Sequence, residues 1–232
     1  MNSAQNVPPI HLSLAALHFM QRSLIMELIV ITPPIDIKDE IAFAIEMLEA
    51  GLDRLHLRKE NLDIDAYRNY LNQIPAAFHT RVSVHEYPEL LKEFPTIGFH
   101  CKASVWKDEK RLKEVLSVYS SSIISASFHS WHEMLQLPYN FNYVLISPVF
   151  DSISKPGYPS SIDITKLNAV KQSTSNERKF PKIFALGGID AAKMPALSDA
   201  GFDGVAVLGT IWQSEDCLAA FEIIHRQIKG SQ

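Results

Sequence analysis

Cysteine is scarce: the 232 residues include only Cys101 and Cys217. They permit at most one disulfide and never form the metal-binding spacing C-x-x-C, so a disulfide scaffold is excluded and a reducing, cytoplasmic setting is expected. Long cationic runs are also missing. With 22 Lys and Arg against 26 Asp and Glu, the net charge is −4. Sequence-independent nucleic-acid binding needs a basic surface that releases counterions from phosphates, so nucleic acid is not expected as a partner and any anionic ligand must be held by local groups. No apolar run approaches the ~20 residues that cross a bilayer. The run from Leu12 to Phe19 is too short, and residues 1–25 have neither the cationic start nor the small-residue cleavage site of a secretory signal, so no membrane partner is expected. What remains is a chain with 47% hydrophobic and 21% charged residues, the balance of a soluble globular protein. Its length suits a single α/β core.

Residues 1–25 are expected to be a weakly packed N-terminal extension or a misplaced start, with the folded domain over 26–232. From Met26 onward, short β-branched runs alternate with stretches of helical period. Candidate strands are Leu28–Ile31, Arg54–Leu57, Arg81–Val84, Thr96–Phe99, Ser122–Ala126, Tyr143–Ile146, Lys182–Ala185 and Gly204–Leu208. Their continuous apolar character implies burial on both faces, and so a parallel sheet covered by helices. Helical period is clearest in Asp39–Glu49, Lys110–Val118 and Leu218–Ile228, and Gly51 and Gly201 stand where a helix would end. Eight strand–helix units predict a closed (β/α)8 TIM barrel, with an open doubly wound sheet as the alternative. In a barrel the chemistry gathers at the C-terminal ends of the strands.

The residues at those ends supply the candidate site. Gly187-Gly188 follows the seventh strand and Leu208-Gly209 ends the eighth, where barrel loops commonly share a phosphate site built from backbone N–H groups. Arg58 and Lys59 end the second strand, and at least one is expected to reach the mouth to meet an anion. His56, His85, His100 and His129 lie at or beside the ends of four successive strands. Three of them could ligate a metal, but alternation along the strands is expected to turn some rings into the wall, so no metal is assigned. Ser127 and His129 share strand parity, and histidine titrates near neutrality, which suits His129 to proton transfer. The segment from Ser147 to Tyr158 is long enough to be a lid, with Lys155 as its cation.

These features resemble the family that contains thiamine phosphate synthase and the thiazole tautomerase TenI, from about Met26 to about Ile228. The resemblance is carried by His56-Leu57-Arg58, Ser127-Phe128-His129-Ser130, Tyr143 through Phe150, Ser154-Lys155, Ala185 through Ile189, and Gly204 through Val207. It implies a (β/α)8 barrel holding a thiazole phosphate on Gly187, Gly188, Leu208 and Gly209. His56, Arg58, Lys59, His85, Ser127, Ser154 and Lys155 would contact substrate, and His129 would be the general acid/base. Synthases of the family read Gln-Leu-Arg-Glu-Lys after strand two. Here His56 stands at the Gln position and Glu60 at the Lys position. The family's Mg²⁺ positions fall by spacing on His85, Glu86 and Val105. Losing a carboxylate to valine and inverting a charge at Glu60 disfavours pyrophosphate chemistry, so the resemblance implies a metal-independent tautomerase. The alternatives are a synthase, which would need Mg²⁺, and a non-catalytic thiazole-phosphate binder. A second copy of the chain, as a homodimer, is a candidate partner.

Overall fold

The computed structural model describes residues 26–136, 140–151, 160–173 and 180–229. The extension over residues 1–25 lies outside them. Eight parallel strands close in sequence order: β1 (Glu27–Ile31), β2 (Arg54–Leu57), β3 (Val82–Val84), β4 (Gly98–Cys101), β5 (Ile124–Phe128), β6 (Tyr143–Ile146), β7 (Lys182–Leu186) and β8 (Gly204–Val207), with β8 returning to β1. The fold is a (β/α)8 barrel. Its outer ring includes α1 (Glu40–Glu49), α2 (Ile64–Gln73), α3 (Leu90–Glu93), α4 (Ala103–Trp106), α5 (Glu109–Val118), α6 (Trp131–Gln136), α7 (Leu167–Ser173), α8 (Met194–Asp199), α9 (Gly209–Trp212) and α10 (Cys217–Lys229). No described helix is long and apolar enough to cross a membrane. Gly51 and Gly201 follow α1 and α8 with φ of 98° and 92°, a left-handed turn that glycine adopts without a Cβ penalty.

The larger hydrophobic core lies between strands and helices, where side chains such as Leu28, Leu55, Val84, Phe99, Val144 and Ile183 face Ala44, Leu71, Leu112, Leu167 and Ile224. The barrel interior is filled differently on its two sides. Inward positions of β1, β6, β7 and β8 form an apolar cluster of Ile29, Ile31, Leu145, Phe184 and Ala206 around the Tyr143 ring. The β2–β5 side instead buries His56, Ser83, His85, His100 and Ser125.

The barrel floor is tied by short polar residues placed immediately before β2, β6 and β8. Asp53 accepts the Leu28 N–H at 2.8 Å, Asn142 accepts that of Ile124 at 2.8 Å, and Asp203 accepts that of Ile183 at 2.8 Å. Each satisfies a strand-end donor that the sheet ladder leaves open. Lys229, at the end of α10, grips Asp53 at 2.9 Å, and Lys171 reaches Asp203 at 3.2 Å. Two strands begin later than their β-branched residues suggest: β4 starts at Gly98 rather than Thr96, and β5 at Ile124 rather than Ser122. His100 and Ser127 therefore lie within the barrel wall and not in the loops above it.

Gly204 faces a space already taken. A Cβ there would lie 2.4 Å from the Phe184 ring and 2.4 Å from the Glu27 carbonyl oxygen, neither of which can retreat from a closed barrel. Gly204→Ala is expected to destabilise the fold by about 1–3 kcal/mol through overpacking, measured by chemical denaturation. An unchanged midpoint would show that the interior yields.

Candidate active site

A cavity of about 590 Å³ opens at the C-terminal ends of the strands. Gly187, Gly188, Leu208 and Gly209 all line it, together with Arg58 and Ser147. Both glycines after β7 have positive φ, 100° and 62°. Their reason is partly internal. A Cβ on Gly188 would strike the Asp151 carbonyl oxygen and the Phe150 backbone, and one on Gly187 would press on Pro148 at 3.0 Å. The loop after β6 is hydrogen-bonded over the same turn, with Val149 N–H donating to Leu186 at 3.0 Å and Phe150 N–H to Gly187 at 3.2 Å. Gly209 opens α9, in which the Leu208 carbonyl accepts from the Ile211 and Trp212 N–H groups, while those of Gly209 and Thr210 have no acceptor within the helix.

Arg58 and Lys59 part company at the end of β2, as alternation requires. Arg58 lines the mouth cavity, where its guanidinium pairs with Glu60 at 2.6 Å. Lys59 turns outward and is buried. Its ammonium meets Glu40 at 2.6 Å and the Ile35 carbonyl at 2.8 Å, while the other Glu40 oxygen accepts from the Tyr70 hydroxyl at 2.9 Å. The expectation that Lys59 contacts substrate is thus corrected: a buried charge must be paired, and this one anchors the loop between β1 and α1.

His129 is exposed just beyond β5, and its Nδ1 lies 3.1 Å from the Ser147 carbonyl oxygen and 3.4 Å from the Ser147 Oγ. A carbonyl only accepts, so Nδ1 carries the proton and Nε2 is left as the basic nitrogen. Ser147 in turn lines the cavity. The Ser127 hydroxyl is committed elsewhere, 2.7 Å from His100 Nε2. Ser154 and Lys155, with most of the expected lid, lie outside the described residues.

Alternation does not divide His56, His85 and His100 between interior and wall. All three turn inward, because their strands present the same parity to the interior; the expectation that some face the wall is corrected. His56 Nδ1 is 2.9 Å from His85 Nε2, and His56 Nε2 is 2.5 Å from the Tyr143 hydroxyl. His100 is held by Ser125 at 2.8 Å and Ser127 at 2.7 Å. Burial, reinforced by neighbouring imidazoles and the cations Arg54, Arg58 and Lys102, pushes all three rings far below the usual histidine range, His100 to about 3. His56 is fully buried beneath the mouth and meets Tyr143 rather than the cavity. Tyr143, Ser83 and Ser125 were missed from the sequence. The period-two pairing of Ser83 with His85 and of Ser125 with Ser127 was the signal that could have found them.

The positions that the family resemblance assigns to Mg²⁺ do not fit that ion. Val105 is 2% exposed within hydrocarbon, Glu86 is paired with Lys102, and His85 is hydrogen-bonded to His56. Mg²⁺ demands oxygen ligands in near-octahedral array, and these three offer one carboxylate that is already engaged.

Residues 28–211 match the family model described as thiamine monophosphate synthase. The chain is 27% identical over 188 residues to a thiamine-phosphate synthase of Desulfitobacterium hafniense, covering 79% of this chain and 86% of that one. It is 24% identical over 176 residues to a thiamine-phosphate synthase of Lysinibacillus sphaericus, covering 73% and 79%. A solved thiamine phosphate pyrophosphorylase from Bacteroides thetaiotaomicron superposes with a TM-score of 0.68 at 26% identity, covering 89% of this chain and all of that one. The Pyrococcus furiosus thiamine phosphate pyrophosphorylase shares the fold, with a TM-score of 0.71 at 19% identity and coverage of 89% and 96%.

The buried imidazoles also set an acid limit on stability. In the unfolded chain they titrate near 6.5, roughly their unperturbed value. In the fold their affinity for protons is depressed, so below that pH the unfolded state takes up protons that the folded state refuses. Their contribution is complete above about pH 6.5 and is lost progressively as the pH falls toward His100's folded value. Melting temperatures recorded from about pH 7 to about pH 4.5 should fall less steeply for His100→Gln than for the parent. Parallel curves would contradict this account.

Proposed function

The chain belongs to the thiamine monophosphate synthase family, and from that membership we propose that it acts in thiamine biosynthesis as a thiazole tautomerase. The mouth cavity receives a thiazole phosphate. The phosphate rests against Gly187, Gly188, Leu208 and Gly209, where backbone N–H groups, including those of Gly209 and Thr210 at the start of α9, offer donors without a competing carboxylate among those four residues. His129 Nε2, left basic by the Nδ1–H bond to Ser147, takes a proton from one carbon of the thiazole carboxylate ring system and returns it to another. The reaction is an isomerisation and needs no other reactant.

One observation carries the choice of tautomerase over synthase: the glycine-lined mouth stands beside a pyrophosphate side in which Val105 offers only hydrocarbon and the Arg58 and Lys102 cations are each paired with a carboxylate. A departing pyrophosphate needs those charges free and a metal beside them. The names of the relatives favour the second reading, a synthase that joins hydroxymethylpyrimidine pyrophosphate to thiazole phosphate. In that reading Mg²⁺ would be required, and Arg58 and Lys102 would have to exchange their carboxylates for phosphate oxygens. Incubating purified protein with thiazole phosphates, with and without the pyrimidine pyrophosphate and Mg²⁺, separates the two. Isomerisation without metal is expected, and brisk formation of thiamine phosphate would instead establish the synthase.

His129→Asn should lower turnover by about 10²–10⁴-fold while ligand affinity stays close to that of the parent. Weakened binding with unchanged turnover would make His129 a contact residue. Unchanged values of both would take the proton transfer away from His129 and assign it to another group. Gly209→Asp places a carboxylate at the phosphate seat and should abolish binding of thiazole phosphate in calorimetry; retained affinity would move the phosphate elsewhere. This variant probes the seat better than Gly188→Val, whose side chain would collide with Asp151 before any ligand arrived.

A further inference from the structure

We propose that His56, His85 and His100 form a site for one transition-metal ion of the zinc class inside the barrel, sharing only His85 with the positions that the family resemblance assigns to Mg²⁺. The three rings come from consecutive strands or their ends, and one nitrogen from each lies within 4.8 Å of the others. Their centroids are 5.1, 5.1 and 4.4 Å apart. Imidazoles bound to a single tetrahedral ion through bonds of about 2.0–2.1 Å hold their centres roughly 5 Å apart, close to these spacings; the His85 and His100 rings are stacked at 30° and would turn to aim their nitrogens at one ion.

Two of the three rings, His56 and His100, have outer contacts of the form that a histidine site requires. A ligating imidazole normally gives its second nitrogen to a fixed partner, which sets the tautomer and aims the first. Tyr143 takes His56 Nε2 at 2.5 Å and is itself 3.3 Å from Ser83 Oγ, which leaves His56 Nδ1 directed at His85 Nε2. An ion entering there replaces that imidazole–imidazole hydrogen bond with two coordinate bonds. His100 has a hydroxyl on each nitrogen, Ser125 on Nδ1 and Ser127 on Nε2. Releasing either hydroxyl frees a ligand atom while the other keeps the ring oriented. The remaining cost is charge. Arg58 and Lys102 are already paired with Glu60 and Glu86, which limits the repulsion they add, and Arg54 is engaged by Ser83 at 3.2 Å and by the Tyr143 ring. His85 is the most accessible of the three, 5% exposed against 0% and 1% for His56 and His100, so an ion would enter past it. A donor set of neutral imidazoles without carboxylate selects Zn²⁺, Co²⁺ or Ni²⁺ and rejects Mg²⁺ and Ca²⁺. The site is independent of the tautomerase reading and stands or falls separately from it.

The test uses the full chain, stripped with chelator and titrated with ZnCl₂ by calorimetry and with CoCl₂ by visible absorption. One ion per chain is expected, with the intense d–d bands of low-coordinate Co²⁺, a raised melting temperature with Zn²⁺, and no competition from excess Mg²⁺. Tyr143→Phe should weaken Zn²⁺ binding by about 10–100-fold through loss of the outer contact, while His85→Ala removes a ligand and should weaken it further. Exposed His132→Ala should bind as the parent does. Circular dichroism checks that each variant folds, and the parent's Co²⁺ spectrum tests the site without any substitution. Absence of stoichiometric binding to the parent overturns the proposal. So does binding that survives both Tyr143→Phe and His85→Ala, which would place the ion on surface histidines.

Discussion

Closing eight strands into a barrel encloses half of their side chains away from water, and every polar group among them must then find a partner inside. In this protein that requirement falls on one side. The chain of contacts from His85 through His56 to Tyr143, and from Ser125 through His100 to Ser127, fills the β2–β5 side with mutually satisfied donors and acceptors. The apolar cluster fills the rest. The open space at the mouth is displaced accordingly: its lining comes from the segments after β1, β2, β6, β7 and β8, and includes none of His85, His100, Ser127 or His129. Packing of the interior, more than any single loop, decides where a ligand fits.

That displacement gives the mouth two unlike flanks. On one, glycine turns and the start of α9 present backbone donors to an anion. On the other, ion pairs have absorbed the cations that a second anionic substrate would need. His129 is held at the boundary by Ser147, a residue that lines the cavity and whose carbonyl fixes the imidazole tautomer. In the proposed reaction, binding and proton transfer would fall to different strands, so a change in one need not disturb the other.

Much of this was legible in the sequence because it depends on local chemistry. Continuous β-branched runs mark buried parallel strands wherever they occur, and Gly51, Gly187, Gly188 and Gly201 mark turns because few other residues adopt their φ. Legibility failed where the deciding partner is remote in the chain. Lys59 reads as a mouth cation until Glu40, Tyr70 and the Ile35 carbonyl are brought around it. The shared inward parity of His56, His85 and His100 depends on the stagger between strands, which pairs His56 with Ser83 and His100 with Ser125 and which no single segment encodes. Strands β4 and β5 extend further than propensity suggests because neighbouring ladders recruit residues such as His100 and Ser127, which have little preference for a strand of their own.

The floor of the barrel has a different bearing on how the molecule tolerates change. Asp53, Asn142 and Asp203 secure the beginnings of the strands, at the end opposite the cavity, and Lys229 joins the final helix to the first of these ties. These polar ties are at one pole and the cavity at the other. A substitution at the mouth can therefore change what is held there while these ties at the far end stay untouched.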